Sequence, residues 1–304
     1  MKLKHLAVIL AVGALGLGTA ACGGDPTETT DTDTTSTTTV TVGSADFPES
    51  QIIAEIYAQA LEAKDIKVEK KLNIGAREIY IPALKNGEIG IIPDYSGNLL
   101  REFDPQATAT SAEDVEAALK EAVPEGLAVL DESSAEDKDS LNVTPEFAQE
   151  HNLKSIADLK KIEGLRLAAQ AEFKTRAYGI PGMEKYYGIT GVKFTAIKDG
   201  GGPNTLKALL DGDVDVADIY TTTPSIKANN LVTLDDPKNM IAAQRVVPVI
   251  NSSKIDDKAK ETINAVSAKL TTEDLVALNA ENQGDAKAAP ATLAKQWLQD
   301  KGLG

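Results

Sequence analysis

Between Thr39 and Tyr220 the chain runs twice through one order of elements, and that order restricts the fold more than any other feature of the sequence. TVTVGSADF alternates as a strand does and breaks at Gly43 and Ser44. PESQIIAEIYAQALEAKD follows, with Ile52, Ile53, Ile56, Tyr57, Ala60 and Leu61 at helical spacing and Pro48 and Glu49 suited to a first turn. IKVEKKLNI is a second strand, REIYIPALKNG a helix stopped at Gly87, and EIGIIPDY a buried strand ending at Tyr95. The second pass opens with two short capped helices, TPEFAQEHN and SIADLKKI. GLRLAAQ (strand), a helix through GIPGMEKYYG, VKFTAI (strand), NTLKALLDG (helix) and VDVADIY (strand ending at Tyr220) follow. LVTLDD and RVVPVIN add strands, and helices beginning near Thr271 and Pro290 close the chain. Alternation of this kind predicts α/β lobes, each with a largely parallel sheet between helices.

The two passes echo each other residue for residue. Ala83, Leu84, Gly87 and Tyr95 are spaced as Ala208, Leu209, Gly212 and Tyr220. Ligands of parallel α/β sheets sit off the carboxyl ends of the strands. One reading therefore points both tyrosines into a shared crevice; the other makes them core aromatics of a recurring supersecondary unit.

The ends carry a different message. Lys2 and Lys4 precede the apolar run Leu6 to Ala21, which stops at Cys22, the single cysteine. A basic start, a short apolar stretch and small residues before a cut site make residues 1–21 a secretory signal. Thr19, Ala20 and Ala21 ahead of Cys22 resemble a bacterial lipobox, which implies a lipidated Cys22 as the first mature residue; the other reading leaves Cys22 a spare thiol. Residues 22–40 are rich in Thr, Asp and Gly and cannot offset their ordering entropy by burial, so they read as a disordered tether. The remaining chain, roughly 265 residues, suffices for two lobes. A single cysteine rules out an internal disulfide framework. The net charge of −15 deepens once the two leader lysines are removed, which argues against nucleic acid and anionic membrane surfaces. No P-loop, GxSxG or HExxH motif occurs, and neither histidine has metal-ligand spacing, so no enzyme, metal or cofactor is implied.

Four segments carry a family resemblance: GSADFPESQIIAEIYAQALEAK, PALKNGEIGIIPDYSGNLL, EFKTRAYGIPGMEKYYG and ALLDGDVDVADIYTTTP. They resemble the glycine betaine/choline/carnitine substrate-binding proteins of ABC importers, in the same order, from about Thr41 to at least Pro248. The resemblance implies a type II periplasmic-binding-protein fold, two α/β lobes joined by two hinge crossovers. Lobe I would be residues 41–141 with 247–304, and lobe II residues 142–246. It further implies a monomeric receptor, lipid-anchored on the outer face of the cytoplasmic membrane, that captures a quaternary-amine solute between its lobes. That receptor would serve an ABC permease and its ATPase. A receptor for another small zwitterion, or a ligand sensor with the same fold, are the alternatives.

A trimethylammonium head cannot donate a hydrogen bond, so aromatic faces hold it through cation–π attraction. Tyr95, in PDYSG, matches a family tyrosine, and Tyr220, in DIYTTTP, lies where the second lobe offers another. Arg176, in EFKTR, matches a family arginine suited to a carboxylate. Ser44, Phe47 and Ser50 belong to the loop after the first strand, whose backbone N–H groups can receive an anion. Arg77 stands where a small polar residue is common, and either reaches the cleft to meet a ligand or lies on the surface. The chain also departs from the family pattern. EDKDSLNV, Glu136 to Val143, has no aromatic residue, and Gln244 in AAQ takes the place of a tyrosine. Asp137 and Asp139 can attract a cationic head there, the other reading being that both face solvent near the hinge, and Thr221 follows Tyr220.

Overall fold

Two five-stranded sheets of identical layout organise the residues described by the structure, a computed structural model covering 39–304. The leader, Cys22 and most of the Thr-rich tether lie outside the described residues. Among those that are described, no helix is long and apolar enough to cross a membrane.

The first sheet has the order β2-β1-β3-β10-β4, with β1 at Val40–Gly43, β2 at Val68–Lys71, β3 at Ile91–Tyr95, β4 at Leu127–Val129 and β10 at Val246–Asn251. The second has the order β7-β6-β8-β5-β9, with β5 at Leu141–Val143, β6 at Arg166–Ala169, β7 at Lys193–Ala196, β8 at Val216–Asp218 and β9 at Val232–Thr233. In each sheet four strands run one way and one runs against them: β10 in the first, β5 in the second. Those opposed strands are the ones through which the chain enters from the other lobe. The sheets are therefore largely parallel, as the alternation predicts.

Neighbouring residues on the buried strands point to opposite faces, so each face of the first sheet makes its own core. Ile91, Val246 and Ile250 pack with helix α1 (Pro48–Glu62) and with α9 (Asp257–Ser267), α10 (Thr272–Gln283) and α11 (Pro290–Lys301). Ile92, Val247 and Val249 pack with α2 (Arg77–Lys85), α3 (Ser96–Phe103) and α4 (Ala112–Ala122). The apolar face of α1 is completely enclosed: Ile52, Ile53, Ile56, Tyr57, Ala60 and Leu61 are all within 1% of full burial. At about 1.5–3 kcal/mol for each large side chain, this one helix anchors the first lobe. The second lobe carries α5 (Pro145–His151), α6 (Ile180–Gly182), α7 (Pro203–Leu210) and α8 (Ser225–Ala228) around a core that includes Leu167, Phe173, Met183 and Val216.

Local departures from the sequence reading have local causes. The expected helix through GIPGMEKYYG is a single α turn followed by a wider π turn at Met183–Tyr187, because Pro181 and three glycines surround it and Gly188, at φ 66°, ends it. The strand expected to reach Tyr220 stops at Asp218. The echoed stops are real, since Gly87 and Gly212 adopt φ 71° and 74°.

The chain passes between lobes through residues 130–140 and 234–245, and the two passages are bonded to each other. Asp137 N donates to Gln244 O at 3.1 Å and Val246 N to Ala135 O at 2.9 Å, around an antiparallel bridge of Glu136 with Arg245. Gly97, at the start of α3, lets the second passage lie close: a Cβ there would meet Ala243 O at 2.4 Å. The expected boundaries at 141/142 and 246/247 fall inside β5 and β10 respectively.

Candidate functional site

The carboxyl ends of four parallel strands, two from each sheet, open onto one cavity. β1 delivers Ala45 to Phe47, β3 delivers Tyr95, β6 delivers Gln170, and β8 is followed by Tyr220; all of them line one cleft. Phe47 stands between the two tyrosines. Its ring centroid is 6.1 Å from that of Tyr95 and 5.5 Å from that of Tyr220, the second pair edge-on at 71°. The rings thus come from both lobes and meet at one place, which favours the crevice reading of the repeated tyrosine over the core-aromatic one.

The arginines on the wall are held by carboxylates. Arg77 Nε and Nη2 donate to Asp94 at 3.1 and 2.5 Å, and Tyr80 Oη donates to the same carboxylate at 2.8 Å. Arg77 is 7% exposed and the Asp94 side chain not at all. Arg176 crosses the cleft: its Nε and Nη2 donate to Glu78 of α2 at 3.1 and 3.0 Å, and its Nη1 donates to Tyr178 Oη at 3.0 Å. Both guanidiniums therefore turn their two-nitrogen edge to a protein carboxylate. A ligand carboxylate would have to share a guanidinium that already has a counter-ion.

Acids dominate what remains. Glu49, in the first turn of α1 and 3% exposed, accepts from Tyr95 Oη at 2.5 Å, from Thr222 Oγ1 at 2.6 Å and from Asn279 Nδ2 at 2.5 Å. Asp137, on the first passage, accepts from Thr221 Oγ1 and from Thr222 N, both at 3.0 Å. Asp139 accepts from Asn98 Nδ2 at 2.9 Å, and its other oxygen is buried without a donor, as are both oxygens of Asp218. Burial pushes the Glu49 carboxyl above its ordinary range despite its hydrogen bonds. Burial, then the neighbouring Glu49, push the Tyr95 phenol well up.

Of the residues named from sequence, Phe47, Arg77, Tyr95, Asp137, Arg176 and Tyr220 line the cavity together. Four others stand behind it, which corrects the expectation that they face a ligand. Ser44 Oγ donates to Ala45 O and accepts from Asn73 N, and Ser50 Oγ accepts from Ala45 N, so both hydroxyls shape the loop. Gln244 is fully buried, with Nε2 donating to Asn98 Oδ1 and Oε1 accepting from Asn98 N. Thr221 is an exposed clamp for Asp137. Glu49, Tyr80, Asn98 and Asp218 were missed. A first-turn Glu reads as a helix-end charge, and an Asp inside VDVADIY reads as an outward strand position. The hydrogen-bond needs of a buried acid become visible only once both lobes are assembled.

Comparison with known proteins gives this architecture a family. The chain is 29% identical over 272 residues to the glycine betaine-binding protein YehZ of Escherichia coli K12, covering 84% of this chain and 89% of that one. It is 26% identical over 266 residues to the carnitine transport binding protein OpuCC of Listeria monocytogenes, covering 85% of each. A crystal structure titled as a glycine betaine/carnitine/choline ABC transporter superposes with a TM-score of 0.67 at 26% identity, over 87% of this chain and 99% of that one. Residues 38–300 match the family described as the substrate-binding domain of the ABC-type glycine betaine transport system, and the chain belongs to that family of substrate-binding proteins.

Proposed function

We propose that the protein is the extracytoplasmic receptor of an ABC importer for a quaternary-amine solute, bound between the lobes against Phe47, Tyr95 and Tyr220. One observation carries this reading: three aromatic rings from two lobes converge on a cavity whose wall also bears Asp137 and Asp139. Aromatic faces and nearby carboxylates are the two groups that attract a cation unable to donate a hydrogen bond. Closing the lobes around such a head desolvates it and strengthens both attractions. Arg176 with Glu78, and Glu49 with Thr222, are contacts that exist only with the lobes together, so they act as the latch of the closed form. The loaded receptor would then dock on its permease, with Cys22 lipidated and the Thr-rich tether giving it reach.

Calorimetric titration with glycine betaine, choline, carnitine and proline betaine tests the proposal. Binding of at least one of them tighter than about millimolar is the expected result. Failure of all four would overturn it. Loss of membrane association in Cys22→Ser is the separate test of the anchor.

A further inference from the structure

We infer that the cleft selects a solute with net positive charge and no carboxylate, one that enters in exchange for protons held at two buried carboxyl pairs, by Asp137 beside Glu49 and by Asp218 beside Asp139. The inference rests on the quaternary-amine reading and narrows it.

The charges facing this volume come from every element around it. The loop after β1 supplies Asp46, paired with Lys198; α2 supplies Arg77, closed on Asp94; the turn after β6 supplies Arg176, paired with Glu78; and the first passage supplies Asp137 and Asp139. Asp137 and Asp139 are thus the members of the two pairs that reach the cleft, with Glu49 at the start of α1 and Asp218 at the end of β8 buried behind them. None of the four acids in the two pairs has a lysine or arginine partner among the described residues. No group of side chains there has the arrangement of a metal site.

Each pair is brought together by the backbone. Thr222 donates through its hydroxyl to Glu49 and through its N–H to Asp137, which sets those carboxyls side by side. Leu141 is the register partner of Asp218, and Ile219 N donates to Ser140 O, so the strand end that bears Asp139 runs against the one that bears Asp218. Asp139 Oδ1 and both Asp218 oxygens lack a donor. Two buried carboxylates in contact without a cation cannot both stay ionised, and a proton held between them is the usual solution. Consistently, burial and then the Glu49 charge push Asp137 well up, and burial and then the Asp139 charge push Asp218 well up.

A fixed cation beside these pairs supplies from the ligand the charge that the protons supply in its absence. The balance is simple: the cation enters, and protons leave the carboxyl pairs for the buffer. A zwitterion fares worse, because its carboxylate adds to the acid excess while both arginines already have a protein carboxylate as counter-ion.

The test is titration of the purified protein with choline and with glycine betaine at several pH values, in buffers of different ionisation enthalpy. The expected result is about one proton released per choline, a choline Kd that falls about tenfold per pH unit while the pairs are protonated, and glycine betaine bound at least about tenfold more weakly at pH 7. Asp218→Asn should reduce the proton count. Betaine binding as tight as choline, or choline binding with no proton release by the parent protein, overturns the inference and leaves the quaternary-amine reading standing. Failure of choline to bind would overturn this inference, and failure of all four quaternary amines the reading on which it rests.

Discussion

Replacing Asp94 by Asn changes almost no volume and removes one charge, which makes it the most direct probe of what Arg77 is for. In the folded protein the guanidinium and carboxylate are within 2.5 Å, both buried, and the same carboxylate accepts from Tyr80 Oη and from Tyr95 N, the latter at 2.7 Å. Burial works against the Arg77 charge, and the adjacent Asp94 more than offsets it. Neutralising Asp94 therefore strands a buried cation, which destabilises by about 3–5 kcal/mol. For a body of this size a loss of 1 kcal/mol lowers Tm by roughly 2–4 °C, so Asp94→Asn should melt on the order of 10 °C earlier by scanning calorimetry.

The partner substitution supplies the control. In the double variant Arg77→Met with Asp94→Asn the stranded charge is gone, and most of the lost stability should return. That recovery separates a broken ion pair from a merely damaged strand end. A Tm within about 2 °C of the parent for Asp94→Asn alone would refute the reasoning. Arg77 would then be hydrated and free to meet a ligand, as the sequence reading allowed.

Three further outcomes follow from the same geometry. Phe47→Ala and Tyr220→Ala should each weaken a quaternary-amine ligand by about 0.5–2 kcal/mol in calorimetric titration, and unchanged affinity in both would remove the rings from the site. Glu132, on the first passage, is raised from an ordinary 4.5 to about 7 by burial and by Glu116. The folded state thus holds this proton more tightly than the unfolded one, so its stabilising effect is full below about pH 4.5 and is lost as pH rises to about 7. Chemical denaturation of Glu132→Gln across that window should show a flatter pH dependence than the parent, and an identical slope would refute the assignment. Glu78→Gln opens a partly exposed pair between lobes worth up to about 1 kcal/mol, so affinity should fall by less than about tenfold. Small-angle scattering of the unliganded variant should report a larger radius of gyration, and a loss of affinity far beyond that bound would show the pair to be more than a latch.

The fold was legible where one period governs one element. The apolar spacing in residues 52–61 specifies α1 because every such position has to reach the same core, and Gly87 and Gly212 mark helix ends because their positive φ disfavours a side chain. Helices α3 and α4 were not foreseen. In α3, residues Ser96 to Arg101 are all buried, polar and apolar alike, because the helix lies between the first sheet and the second passage. Its eight residues also give a helical period little more than two turns in which to show.

The aromatic half of the site was legible for a related reason, since the carboxyl ends of parallel strands are a place that topology alone assigns. The acidic half was not, because a carboxylate's role depends on what faces it. Asp137 and Asp139 sit on the first passage, two residues apart, and alternation along an extended chain sends them to the same side. Asp137 meets Glu49 of the first lobe through Thr222, while Asp139 meets Asn98 of the first lobe and Asp218 of the second. The segment that must bend when the lobes part is therefore the segment that carries charge into the cleft. A cation binding there draws on both lobes through residues of the hinge itself, so closure needs no relay through either core. Moving the two acids by one position, with Lys138 brought into the cleft in their place, would keep the length and composition of the passage while reversing the charge it turns to the cleft. That exchange should abolish cation capture in calorimetric titration, and a folded variant that binds choline as tightly as the parent would refute the role given to these acids.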